Sequence, residues 1–249
     1  MYQPRTYRHW IRDRDLISFS IVVKETDLCI RASTNLKRKA LKLVTKYRDI
    51  LERYIERHPD FPTALKPINV DSNAPGIVKV MSASANSTGT GPMAGVAGAI
   101  AEFVGTELLP FSAEIIVENG GDIYLKSMKK RLIGIYAGKS PLTGKIGLEI
   151  DGADTPLGIC TSSGTVGHSL SYGKADAVIV LSKSATLADA AATAIGNLIE
   201  QPSDITRGIE MAQRIEGLKG AAIIADSNMG LWGEVKLCQI SLKDQSKTG

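Results

Sequence analysis

The chain has 249 residues, of which 43% are hydrophobic and 22% charged, with a formal net charge of +4. This composition excludes disordered, collagen-like and coiled-coil proteins and predicts an ordinary globular domain. Three cysteines without CxxC or Cys/His spacing exclude a disulfide framework and a structural zinc site. Because no apolar stretch predicts a membrane span and no signal peptide is visible, we expect a cytoplasmic protein.

The first quarter of the chain predicts a β-hairpin followed by a long helix. Ile17–Val23 is rich in β-branched and aromatic residues and predicts a strand, with Leu28–Ala32 as its hairpin partner across the turn at Glu25–Asp27. Apolar residues then recur at three- and four-residue steps, which predicts a helix from Thr34 or Asn35 to His58. The other face of this helix carries six Lys and Arg residues before any acidic residue. A solvated basic face is the ordinary interpretation, and contact with an anion is the alternative.

Two helices separated by a glycine-rich loop are predicted next. Phe61–Pro75 is a proline-rich connector, Ile77–Ala85 a short helix and Ser87–Gly91 the loop. Pro92 opens the second helix at its first position. Small residues line that helix, namely Gly95, Gly98 and Gly105. They predict close packing of a neighbouring element or the approach of a ligand, and they are compatible with a homodimer interface.

The rest of the chain groups short strands around two helices. The predicted helices are Leu187–Glu200 and Ile205–Ile215. The predicted strands are Glu114–Val117, Ile123–Lys126, Leu132–Tyr136, Ile146–Ile150, Leu157–Thr161, Asp176–Leu181, Ala221–Ala225 and Glu234–Ser241. Strands in consecutive groups favour an α+β fold of mixed sheets with packed helices over strict βαβ alternation. We expect one domain over residues 1–249, with a basic N-terminal arm at 1–15 and a flexible tail at 243–249.

A twin-glycine turn joins two of the predicted strands. Its residues are Asn119, Gly120, Gly121 and Asp122. Paired glycines can turn the backbone inward and present N–H groups to an anion or a carbonyl. The alternative is an ordinary hairpin turn.

The densest polar segment runs from Cys160 to Lys174. Between them lie hydroxyl and glycine residues and a histidine, namely Thr161, Ser162, Ser163, Gly164, Thr165 and His168. Such a segment can supply phosphate donors, an oxyanion site or a reactive thiol when its neighbours order it. In the alternative interpretation Cys160 is a small buried hydrophobe and His168 a hydrogen-bonded loop residue.

A third polar feature lies on a predicted helix. Four-residue spacing places the Asp189 carboxylate and the Thr193 hydroxyl on one face, one turn apart. Oxygen ligands of this kind suit Mg²⁺. The alternative is that Asp189 only stabilises the first turn of its helix.

The turn and the Ala188-Asp189-Ala190 segment with Thr193 resemble the Gly-Gly-Asp turn and the Asp-x-x-x-Thr helix of the ApbE superfamily. Its flavin transferases attach FMN from FAD to a protein threonine. The resemblance implies an ApbE-like, T-fold-like single domain. It further implies that Asp189 and Thr193 bind Mg²⁺ beside the FAD pyrophosphate, with Asn119, Gly120 and Gly121 near the nucleotide.

A closer resemblance is to an uncharacterised ApbE-related family of anaerobic prokaryotes. It rests on Cys160–Ser169 and Lys174–Ala177, and it also covers Gly91–Ala94 and Tyr2–Arg5. This resemblance implies a role in sulfide assimilation and homocysteine formation, with Cys160 as a persulfide carrier. The His-x-x-Asp-Pro-x-Thr-Gly stretch of the flavin transferases has no counterpart in the chain, so FMN transfer to a protein is not implied.

Three functional hypotheses follow. The first is an ApbE-like protein that binds a phosphorylated or flavin-type ligand with Mg²⁺. The second is a sulfur-transfer protein that carries a persulfide on Cys160, with His168 or Lys174 favouring its thiolate, and that serves protein partners. The third is an RNA- or partner-binding module that uses Arg5–Arg14 and the basic helix face. Aromatic residues form only 5% of the chain and no RNA-binding signature is present, so the third ranks last.

Overall fold

The computed structural model describes residues 8, 15–164 and 173–240. Within them the helices are α1 (Lys37–Arg57), α2 (Gly76–Thr88), α3 (Val96–Leu108), α4 (Ala185–Gly196) and α5 (Ile205–Arg214). The strands are β1 (Ile17–Val23), β2 (Thr26–Ala32), β3 (Ile115–Asn119), β4 (Asp122–Lys126), β5 (Arg131–Gly134), β6 (Ile146–Ile150), β7 (Leu157–Ser162), β8 (Ala177–Ser182), β9 (Leu218–Ala225), β10 (Asn228–Gly233) and β11 (Leu237–Gln239).

The described strands form two antiparallel sheets. The large sheet has the order β1-β2-β3-β4-β7-β8-β9-β10, and the small sheet has the order β11-β6-β5. All five helices pack on one face of the large sheet or on one another, and this layer contains the larger hydrophobic core. The small sheet covers part of the opposite face and encloses a second core. The α+β, single-domain prediction is therefore confirmed.

Alternation along β3 and β4 decides which residues face each core. Val117 and Tyr124 point into the helix-side core, whereas Ile116 and Leu125 point into the core under the small sheet. Since side chains alternate along a strand, Asn119 shares the helix side with Val117. Asp122 shares that side with Tyr124 for the same reason.

Most predicted elements form close to their predicted bounds, and the main difference is at the C-terminal end. One strand was predicted over Glu234–Ser241, but the structure has β10 at Asn228–Gly233 and β11 at Leu237–Gln239. The strand β10 contains two glycines and alternates little in hydrophobicity, so its sequence does not predict a strand. It forms because a two-residue turn at Asp226 and Ser227 pairs it with β9.

Among the residues that the structure describes, one helical stretch, Pro92–Phe111, has the length and hydropathy of a membrane span. It comprises α3 and a short 3-10 turn at each end. In this fold α3 packs against α1, α4, β3 and β4, and its Ala99, Ala101 and Val104 are fully buried. These contacts are those of a core helix.

Candidate functional site

The twin-glycine turn is a two-residue hairpin between β3 and β4. Asn119 pairs with Asp122, and Gly120 and Gly121 adopt φ angles of +70° and +109°. These left-handed conformations favour glycine over any residue with a Cβ. No atom of the described residues lies within 4 Å of a Cβ built on Gly120, so these residues leave one side of the turn open.

The Gly121 amide, which the sequence predicts as a donor to a ligand, has a hydrogen-bond acceptor inside the protein. It donates to Glu118 Oε1 at 2.9 Å. In this structure the amide is therefore satisfied by Glu118, and its predicted use in an anion cradle stays a prediction. Glu118 was not among the predicted site residues.

The two residues that flank the glycines connect the turn to neighbouring elements. Asn119 Nδ2 donates to the Ala97 carbonyl of α3 at 3.1 Å. Asp122 Oδ1 accepts a hydrogen bond from the Thr161 amide of β7 at 3.2 Å. The base of the turn is thus fixed between a helix and a strand, and two of the polar segments predicted from the sequence meet here.

Asp189 lies on α4 and is buried, with only 9% of its surface exposed. Its Oδ2 accepts a hydrogen bond from the Gly98 amide in the first turn of α3 at 2.8 Å. The carboxylate of Asp189, a residue of α4, therefore stabilises the N-terminus of the neighbouring helix α3. Apart from the small residues of α3, no pattern in the sequence points to this partner.

Asp122 and Asp189 form a buried acidic pair. Burial raises the pKa of Asp122 to about 7, and the nearby charge of Glu118 acts in the same direction. Burial also raises the pKa of Asp189, and repulsion from Asp122 raises it further. Two carboxylates that disfavour each other's charge need either protons or a cation between them.

Cys160 lies beside this pair, and it is fully buried. Its thiol donates to the Ala185 carbonyl at 3.2 Å. Burial raises the pKa of this thiol, and the charges of Asp122 and Asp189 raise it further. The surroundings disfavour the thiolate that a persulfide carrier requires.

The rest of the polar segment is only partly described. Thr165 and His168 lie outside the described residues, so their predicted roles stay predictions. Ser162 is buried, Thr161 and Ser163 are half-buried, and Gly164 and Lys174 are exposed. Backbone hydrogen bonds fix the two ends of the segment, from the Gly164 amide to Ala175 and from the Lys174 amide to Ile199.

The donor set at Asp189 fits Mg²⁺ in charge and chemistry. Thr193 follows Asp189 by one turn of α4 and is half-buried, and the Asp122 carboxylate lies close enough to repel that of Asp189. These donors are all oxygen, and a divalent cation would offset the repulsion of the acidic pair. Among the described residues no three His, Cys, Asp or Glu side chains form a metal cluster, so a bound cation would depend on hydroxyl, backbone, water or ligand oxygens.

The basic face of α1 is partly neutralised by ion pairs. Lys46 Nζ lies 2.7 Å from Glu107, and Arg48 contacts both Glu25 and Glu52. These contacts reduce the charge that this face could offer to RNA.

Comparisons with known proteins agree with this fold. A family model described as "AbpE bacteria" matches residues 8–219. The UPF0280 protein MJ1526 of Methanocaldococcus jannaschii is 40% identical over 86% of this chain and 90% of its own length. The UPF0280 protein MK0206 of Methanopyrus kandleri is 42% identical over 88% of this chain and 91% of its own length.

Solved structures with similar folds are more distant in sequence. The apo form of the flavinyl transferase ApbE from Pseudomonas stutzeri has a TM-score of 0.60 at 16% identity, covering 92% of this chain and 96% of that one. The ApbE protein of Thermotoga maritima has a TM-score of 0.59 at 13% identity, covering 94% of this chain and all of that one. At this identity the likeness establishes the fold alone. The family model and the UPF0280 relatives show that the chain belongs to the ApbE-related family in which the UPF0280 proteins are grouped.

Proposed function

We propose that this protein binds FMN, FAD or a related phosphorylated ligand together with Mg²⁺ beside the twin-glycine turn. Asp189 and Thr193 would hold the cation, and Asn119, Gly120 and Asp122 would border the ligand. The observation that carries the proposal is the buried Asp122–Asp189 pair, whose mutual repulsion raises the pKa of Asp189 in addition to burial and would be offset by a cation. The ApbE fold supports a flavin-type ligand, because solved proteins with this fold are flavin transferases by name.

The test is a set of calorimetric titrations with FMN, FAD and ATP, each with and without Mg²⁺. We expect flavin binding that depends on Mg²⁺ and weakens about tenfold or more in Asp189→Asn, because a cation loses a charged ligand. Asp154→Asn is the matched control, since Asp154 is 42% exposed and pairs only loosely with Lys236 at 3.6 Å. No flavin binding by the wild type, or equal binding by both variants, would contradict the proposal.

Thr193 offers a second, isosteric test of the cation site. Thr193→Val removes the hydroxyl but keeps the shape of the side chain, whereas Thr193→Ser keeps the hydroxyl. We expect the Mg²⁺ concentration needed for half-maximal flavin binding to rise in Thr193→Val and to stay near the wild-type value in Thr193→Ser. Equal Mg²⁺ titrations for the two variants would remove Thr193 from the site.

We further propose that the ligand-bound protein acts in the cytoplasm in anaerobic sulfur metabolism. The family resemblance supports this placement in sulfide assimilation and homocysteine formation. Deletion of the gene in its host should impair growth on sulfide, and the wild-type gene should restore it where the Asp189→Asn gene does not. Normal growth of the deletion strain on sulfide would contradict the placement.

A further inference from the structure

Arg8 lies against the face of the large sheet opposite the helices and contacts two acidic residues. Its Nε donates to Glu118 Oε2 at 2.6 Å, and its Nη1 donates to Asp27 Oδ1 at 3.1 Å. Its Nη2 donates to the Asp27 carbonyl at 2.8 Å. The side chain of Glu118 is only 2% exposed and that of Arg8 14%. Although burial opposes the charge of Arg8, the two carboxylates outweigh it and raise the pKa of the guanidinium.

Glu118 connects Arg8 to the twin-glycine turn by hydrogen bonds to both. One carboxylate oxygen binds Arg8, and the other accepts the Gly121 amide at 2.9 Å. A buried carboxylate is costly unless it is paired, and Arg8 supplies Glu118 with an ion pair at 2.6 Å. A charged acceptor binds a backbone amide more strongly than a neutral one does.

The turn in its present conformation sets the position of Asp122. Gly121 directly precedes Asp122, and its φ of +109° is a left-handed conformation that residues with a Cβ rarely adopt. On its other side, at Gly120, no part of the chain that the structure describes contacts the turn. The Glu118–Gly121 hydrogen bond is therefore a restraint on the part of the turn that leads into the acidic pair.

We propose that Arg8 is a positioning residue for the candidate site, acting through Glu118 to hold the Gly120–Gly121 turn. The effect of Arg8 on the conformation of the turn does not depend on a ligand and can be measured in the ligand-free protein. Its effect on ligand affinity rests on the proposed function. From the sequence, Arg8 belongs only to the basic N-terminal arm at 1–15, with no link to the site.

The first experiment measures hydrogen exchange of the Gly121 amide by NMR in the protein without ligand. We expect exchange to become about tenfold faster or more in Arg8→Ala and in Glu118→Gln, since a hydrogen bond to a charged group is weakened. Arg8→Lys should rescue part of the protection because it keeps the charge but not the shared geometry. Unchanged exchange at Gly121 in Arg8→Ala would overturn the proposal.

Arg48→Ala is the matched control. The Arg48 side chain has the same 14% exposure as that of Arg8 and also contacts two carboxylates, on Glu25 and Glu52. It should lower the unfolding free energy without changing Gly121 exchange. Equal acceleration at Gly121 in Arg48→Ala and Arg8→Ala would show general loosening and overturn the proposal. Should Arg8→Ala fail to fold, Arg8→Lys and Glu118→Gln supply the same comparison.

The second experiment titrates FMN in the presence of Mg²⁺. We expect the dissociation constant to rise about tenfold in Arg8→Ala, to be partly rescued in Arg8→Lys and to stay unchanged in Arg48→Ala. Faster Gly121 exchange without a change in FMN affinity would overturn the link to the site. A wild type that binds no FMN would contradict the proposed function, while the exchange measurement would still decide whether Arg8 holds the turn.

Discussion

Asp122 and Asp189 make the stability of the protein depend on pH. Both carboxylates have a pKa above their ordinary value of 3.8, and that of Asp122 lies at about 7. Between these two values the folded protein binds protons that the unfolded chain has released. Stability from this pair is therefore present at low pH and is lost as pH rises towards 7. Mg²⁺ between the two carboxylates would act against this loss.

We predict that Asp122→Asn stabilises the metal-free protein at pH 8. The amide oxygen can still accept the Thr161 hydrogen bond, while the repulsion from Asp189 disappears. The gain should be of the order of a few kcal/mol at pH 8 and should vanish below pH 4. Urea unfolding in EDTA at several pH values measures it. An unchanged pH dependence in the variant would refute the buried acidic pair.

We predict that the Cys160 thiol is unreactive in the folded protein. It is fully buried and its pKa is raised, whereas Cys238 is only half-buried. Iodoacetamide at pH 8 should therefore modify Cys238 about a hundredfold faster or more than Cys160. Mass spectrometry of peptides from briefly treated protein gives both rates, and denaturation in urea should remove the difference. Rapid modification of Cys160, or a persulfide formed on it by transfer of a sulfane sulfur atom from added inorganic polysulfide, would instead favour the sulfur-transfer hypothesis.

At the scale of elements, the crossing of α3 and α4 places Asp189 at the site. Each helix supplies a carboxylate to the first turn of the other. Asp189 of α4 accepts the Gly98 amide, and Glu102 of α3 accepts the Thr186 amide at 2.9 Å as well as the Ser184 hydroxyl. These reciprocal hydrogen bonds require that the backbones of α3 and α4 approach closely, which the small residues of α3 permit.

We predict that Gly98→Ala disrupts this crossing. A Cβ on Gly98 would lie 2.3 Å from the Ala185 carbonyl oxygen and 2.9 Å from Asp189 Cβ. Since these are largely backbone contacts, the helices must separate, at a cost of about 2–3 kcal/mol. Thermal unfolding should show the loss, and Mg²⁺ titration should show weaker binding because Asp189 moves.

Gly76→Ala is the control for that variant. Gly76 is also helical, but its added Cβ would meet its nearest neighbour, Phe103 Cε1, at an ordinary 3.9 Å. Its unfolding free energy should stay within about 1 kcal/mol of the wild type. Equal effects of the two substitutions would mean that the close approach of α3 and α4 does not matter.

At the scale of the whole molecule, the sequence predicts local structure better than it predicts which distant residues come into contact. The periodicity of α1 places Ala40, Val44 and Leu51 on its buried face, as the structure confirms. Local pattern also singles out Asn119–Asp122 and Asp189. The partners of these residues are set by packing, which no local pattern contains.

The contacts that the sequence did not predict join distant parts of the chain. Arg8 and Glu118 are 110 residues apart, and Asp189 and Gly98 are 91 residues apart. Their meeting depends on sheet order and on the helix crossing, so one sequence cannot supply it. Cys160 shows the same limit, because its polar neighbours in sequence allow either a reactive thiol or a small buried hydrophobe, and only its neighbours in space show that it is buried.

The two cores lie on opposite faces of one sheet, and we predict that they unfold together. Leu148 belongs to the core under the small sheet and Met81 lies in the helix-side core, with 1% and 0% exposure. Leu148→Ala and Met81→Ala should each lower the unfolding free energy by about 2–5 kcal/mol. Because β3 and β4 contribute side chains to both cores, loosening either core should loosen the shared sheet.

Hydrogen exchange resolved by segment distinguishes cooperative from separate unfolding. In Leu148→Ala, slow-exchanging amides in β4 should lose as much protection as those in β6, since both exchange through the same global opening. Chemical denaturation followed by far- and near-ultraviolet circular dichroism should give coincident single transitions for both variants. If exchange in Leu148→Ala rose only in β5, β6 and β11, the small sheet would unfold independently, and a single cooperative domain would be ruled out.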